Sequence, residues 1–172
     1  ALDRLIEQDV VYPAFMSRSE IRAFIAGSGD KNWPHDPDGA PLYPPADRAL
    51  SRRERNRRIA DGLPFAWRLN VEAAVERVGK DLSGEEFADE TLSSTNLIEA
   101  RPQDWGDVIV ARRDVPTSYH LSVVVDDALQ GISHVVRGRD LYLPTAVQRL
   151  LQELLSLPAP RYLNPRVSLG PD

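Results

Sequence analysis

Leu2, Leu5 and Ile6 recur at helical spacing and predict a helix already under way at the first residue. Val10, Val11, Tyr12 and Phe15 follow as a short β-rich run. Ser17 and Glu20 then stand three apart ahead of Ile21, Phe24 and Ile25, the pattern of a capping box that opens an amphipathic helix. From Gly27 to Asp47 five glycine or proline turn signals crowd together, which predicts a long ordered loop. The segment from Arg48 to Ala60 has neither residue and predicts a helix, closed by Gly62 and Pro64. A strand over 65–71 and a helix over 72–78 come next, and the poorly periodic acidic stretch over 79–104 predicts loops and short strands. Val108 to Arg112 and Tyr119 to Val125 are β-branched runs joined by the turn residues Asp114, Pro116 and Thr117. They predict a hairpin or neighbouring strands. Ile132 to Val136 reads as one more strand, and Thr145 caps an apolar helix through Leu155. A strand feeding a helix in this way is the unit of a parallel α/β sheet. Gly170-Pro-Asp172 closes the sequence as a turn. The helix already running at Ala1 leads us to expect a piece of a larger domain.

Composition narrows the function classes. With 172 residues, 42% apolar and 27% charged, the chain suits one globular domain that buries most of its apolar surface. No apolar run approaches the roughly 20 residues needed to cross a bilayer. Acids interrupt the first apolar residues where a signal peptide would be continuous, so a soluble cytoplasmic protein is expected. The absence of cysteine excludes disulfides and thiol nucleophiles and removes the commonest ligands of structural zinc. His35, His120 and His134 are too scattered to suggest a metal site. A net charge of −5 argues against a general nucleic-acid coat. Its distribution is uneven: residues 48–58 hold six arginines and one glutamate, so that stretch is +5 and the remainder −10. Arg48, Arg52 and Arg55 fall at i, i+4, i+7 spacing and are candidates for contact with RNA phosphate.

Three blocks carry a resemblance. The first is Tyr12-Pro-Ala-Phe-Met-Ser-Arg18 with Glu20-Ile-Arg22; the second is Pro41-Leu-Tyr43 leading to Arg48. The third runs without a gap from Gly106 to Asp140, GDVIVARRDVPTSYHLSVVVDDALQGISHVVRGRD, and continues through Thr145, Arg149 and Leu150 to Leu157-Pro-Ala-Pro160. In this order they resemble the glutamyl-queuosine tRNA(Asp) synthetase family, whose members have a class I, glutamyl-tRNA-synthetase-like catalytic domain. The resemblance implies a Rossmann-like α/β domain, present in part. An inserted α+β subdomain facing tRNA is expected over roughly 27–113, and the second Rossmann half is expected to begin over 114–172. It implies L-glutamate, ATP with Mg²⁺ and tRNA(Asp) as partners. It also carries two glutamate-binding roles to Tyr119 and Arg137: an arginine fork suits a carboxylate, and a tyrosine hydroxyl adds a directional donor.

Departures from the family are equally informative. Many members hold zinc at positions that correspond to Ala14, Met16, Tyr43 and Asp47; three of the four ligands are gone, so no zinc is expected. The two ATP-binding signature motifs, of His-x-Gly-His and Lys-x-Ser-Lys type, are missing. They are expected before Ala1 and beyond Asp172, which leaves the catalytic residues unidentified and this piece inactive alone. Two other readings stay open: a fragment of an ordinary glutamyl-tRNA synthetase, and a non-catalytic paralogue that binds glutamate or tRNA. Asp126 and Asp127, adjacent acids after an apolar run, read as a helix cap and an arginine partner. His134 reads as a hydrogen-bonded structural histidine, and His120 as pointing away from Tyr119 across a strand.

Overall fold

A computed structural model describes residues 1–163 except 80, 89, 90, 115, 116 and 137–144. Arg137 and the closing Gly170-Pro-Asp172 turn therefore lie outside the described residues. The chain runs through α1 (Leu2–Glu7), β1 (Val11–Ala14), α2 (Arg18–Ser28), α3 (Arg52–Ala60), β2 (Ala66–Leu69) and α4 (Val71–Val78). It continues through β3 (Ser83–Phe87), β4 (Thr95–Glu99), a 3-10 turn (Pro102–Trp105), β5 (Ile109–Arg112) and α5 (Tyr119–Leu129). β6 (His134–Val136), α6 (Thr145–Leu155) and β7 (Arg161–Leu163) complete it. No helix among the described residues is long and apolar enough to cross a membrane.

Two sheets organise these elements. β1, β2 and β5 form an antiparallel sheet in that order, and β4, β3, β7 and β6 form a second. In the second, β6 and β7 pair in parallel, as do β3 and β7. β6 and α6 are thus the strand and helix that the sequence predicts, and β7, which it does not, completes the parallel unit. The largest core joins the antiparallel sheet to α1, α4, α5 and α6 through Leu5, Val10, Leu69, Leu82, Val110, Leu121, Val147 and Leu151. Leu69, Leu82 and Val110 thus share an apolar interior with residues of α1, α5 and α6, while Tyr12, Ala14 and Tyr43 form a second, smaller cluster.

Local signals decide most elements. Ser17 Oγ accepts from Glu20 N while Glu20 returns a bond to Ser17 N at 2.7 Å, the capping box of α2. α6 is buried nearly all round, with every residue from Val147 to Gln152 inside, and its Arg149 donates to Ser83 O at 2.7 Å, which fixes the helix against β3. The expected strand from Tyr119 to Val125 is instead the start of α5. Ser118 accepts from Leu121 N and caps it, and the buried positions Leu121 and Val124 repeat at helical spacing. Cap and burial outweigh the β preference of the valines. β5 consequently pairs with β2 and makes no hairpin with this segment. His120 follows Tyr119 around a helix, with the two ring centroids 5.7 Å apart and nearly edge-on. Asp126 and Asp127 fall in the last turn of α5, so neither caps a following helix.

Candidate functional site

The β2–β5 pair builds one wall of a cleft of about 660 Å³. Ala66 faces Arg112 and Trp67 faces Ala111, but Arg68 faces Ile109, because a bulge interrupts the register there. Val110 and Ala111 both turn into the core at 0% exposure. Arg68, Ile109 and Arg112 are left together on the cleft side. A bulge re-aims side chains in this way without ending the strand. The opposite wall is the capped start of α5, where Ser118 and Tyr119 border the cleft, with Tyr119 55% exposed. The 36–43 turn closes a third side. Its Leu42 packs against Gly106, where φ is +59° and a Cβ would come within 3.1 Å of the leucine methyl. Only glycine accepts both the backbone angle and the approach.

Beneath the cleft lie two buried carboxylates, each with its own partners. Asp107 accepts from the Tyr12 hydroxyl at 2.6 Å and from Val71 N at 3.0 Å, with Arg48 Nη1 3.6 Å away. Asp47 accepts from Phe15 N at 2.7 Å, Met16 N at 3.3 Å and the Tyr43 hydroxyl, with Arg58 Nη1 at 3.6 Å. Burial, reinforced by the carboxylates, pushes both phenols well above the ordinary tyrosine range, so Tyr12 and Tyr43 stay protonated donors. Arg68 sits between the clusters. Its Nη1 donates to the peptide oxygen of Asp107 at 2.5 Å, and its guanidinium lies 3.9 Å from the Tyr43 ring centroid.

The sequence-derived candidates separate in space. Tyr119 stands at the mouth of the cleft. Arg48 and Arg55 are turned into the protein: Arg48 pairs with Glu72 at 3.2 Å, while Arg55 donates to Arg48 O at 2.6 Å and lies 5.7 Å over the Tyr12 ring. Arg52, by contrast, is exposed at the start of α3. Arg68 and Arg112 escaped sequence reasoning, since a lone arginine in a strand has no local signature. His134 is exposed, bonds to Ser133 Oγ at 2.8 Å and stacks on Phe87 at 5.4 Å.

Ala14, Met16, Tyr43 and Asp47 do converge, but as hydrogen-bonding groups. Ala14 offers no donor atom, Met16 engages through its peptide N–H, and Asp47 is occupied by that N–H, Phe15 N and Tyr43. A tetrahedral zinc needs four thiolate, imidazole or carboxylate ligands, and this set does not fit one. Among the described residues no three His, Cys, Asp or Glu side chains gather as a metal site.

A parallel β6–α6–β7 unit, an antiparallel sheet packed on the same core and a cleft at the start of α5 together describe a class I synthetase catalytic domain. Residues 3–170 match the family described as tRNA synthetases class I (E and Q), catalytic domain, and the chain belongs to that family. It is 37% identical over 166 residues to a glutamyl-Q tRNA(Asp) synthetase of Rhodobacter capsulatus, covering 94% of this chain and 55% of that protein. A glutamyl-Q tRNA(Asp) synthetase of Albidiferax ferrireducens is 36% identical, with coverages of 99% and 55%. A glutamate–tRNA ligase of Aquifex aeolicus is 32% identical over 99% of this chain and 33% of its own. The crystal structure of a glutamate-tRNA synthetase from Elizabethkingia anophelis superposes with a TM-score of 0.68 at 20% identity, over 99% of this chain and 32% of that one. The chain spans about half the length of the glutamyl-Q relatives it matches.

Proposed function

We propose that the whole protein activates L-glutamate with ATP, as the Mg²⁺ complex, and transfers it to queuosine in the anticodon of tRNA(Asp). The observation that carries this reading is the 36–37% identity to two glutamyl-Q tRNA(Asp) synthetases over nearly the entire chain. The Tyr119 hydroxyl and the Arg137 guanidinium hold the glutamate, and Arg52 meets RNA phosphate, with Arg48 and Arg55 shaping the base on which α3 stands. In the first step a glutamate carboxylate oxygen bonds to the α-phosphorus of ATP and pyrophosphate leaves. The chain's part is positioning and charge compensation. The corner formed by Tyr43 and Asp47 works without zinc.

A second reading, glutamyl-tRNA synthetase, has the 32% identity to a glutamate–tRNA ligase in its favour. The full-length protein decides between them through glutamate-dependent exchange of pyrophosphate into ATP, followed by transfer of labelled glutamate to tRNA(Asp) with and without queuosine. Exchange without tRNA and labelling only of the queuosine form are expected. Strict dependence of exchange on tRNA would favour the second reading, and no exchange under any condition would leave a non-catalytic paralogue.

A further inference from the structure

Both buried carboxylates already have an arginine within 4 Å: Arg48 for Asp107 and Arg58 for Asp47. Arg68 has no such partner among the described residues; the acceptor it holds is a peptide oxygen. Burial lowers its pKa below the ordinary arginine value, the signature of a cation whose hydration has been removed without full replacement. Its planar group is nonetheless held on two sides, by Asp107 O and the Tyr43 ring. Arg112 lines the same cleft, is exposed, and makes no ion pair with a described residue. Arg112 pairs with Ala66, two residues before Arg68 on β2, so strand alternation places both on one face, a few residues from the capped start of α5.

We propose that Arg68 and Arg112 form a phosphodiester-binding subsite of the Tyr119 cleft, which grips the RNA backbone beside the nucleotide that receives glutamate. The inference rests on the RNA-acylating function proposed above. A guanidinium fork fixed in advance matches two phosphate oxygens and loses little freedom on binding. Arg112 adds a second, mobile cation at the mouth. Phosphate contacts set the position of a nucleic acid without reading its sequence, and that is the task at this point: the chemistry happens at one nucleotide, which the flanking backbone must present to Tyr119.

The test is single-turnover transfer from preformed glutamyl-adenylate in the full-length protein, with free ATP removed so that nucleotide phosphates cannot contribute. The RNA concentration is varied at several salt concentrations. For Arg112→Ala the half-saturating RNA concentration is expected to rise about tenfold, and the slope of its logarithm against log salt to fall by about one. Because Arg112 is exposed, this variant reports on binding independently of folding. Arg68→Lys keeps the charge but loses the fork and should give a smaller rise. Unchanged half-saturation and salt slope in Arg112→Ala would overturn the subsite, as would a change confined to ATP or pyrophosphate binding. If the wild-type protein acylates a different RNA, the function proposed above fails. The same comparison on that RNA would still judge the two arginines.

Discussion

α3 and α6 are helices of similar length fixed by opposite means. α6 buries eight of its eleven residues, including Leu150, Leu151 and Leu155. α3 buries none of its nine. It is held by Arg58, which pairs with Asp47 and lies 5.4 Å over the Phe15 ring, and by Arg55 above Tyr12. Apolar burial is strong and nearly indifferent to orientation. A guanidinium on a ring or a carboxylate is weaker but directional. The first method makes α6 a foundation for the parallel sheet; the second sets α3 at a defined angle and leaves Arg52, Arg53 and Arg57 facing solvent.

Substitutions can break that contrast. Leu151→Ala, at a fully buried site, should cost about 3 kcal/mol of stability, measured by urea denaturation. Asp47→Ala should cost about 2 kcal/mol, because it orphans buried donors. Its loss should be local, with hydrogen exchange accelerating over residues 52–60 while the α6 amides stay protected. Equal acceleration in both helices would show that α3 is fastened through the shared core and not through its charges. Arg58→Ala should cost about 1 kcal/mol, again in the exchange of α3. Arg57→Ala removes a 2.8 Å pair with Glu54 in which the arginine is 68% exposed, and its effect should be under about 0.5 kcal/mol.

The contrast also explains what the sequence could reveal. α2 and α6 were legible because their causes are local: the Ser17/Glu20 box and the apolar period after Thr145. α5 was not, because Val123-Val124-Val125 carries a strand preference that only the Ser118 cap and the buried face overrule. The charge run over 48–58 was visible as a helix with arginines, yet which of them stay free depends on Asp47, Glu72, Tyr12 and Asp107, the last of them about fifty residues away. The cleft was half legible. Tyr119 stood in a recognisable block, whereas Arg68 and Arg112 become neighbours only through the pairing of β2 with β5. Arg137 lies outside the described residues.

The joint at Asp47 connects the end of β1, the turn at Tyr43 and α3 through one carboxylate, one phenol and two peptide N–H groups. In a chain without cysteine such a joint offers oxidants no thiol. The helix that carries Arg52 therefore depends on one side chain that three separate segments of the chain share, so a single substitution at position 47 reaches the strand end, the turn and the helix together.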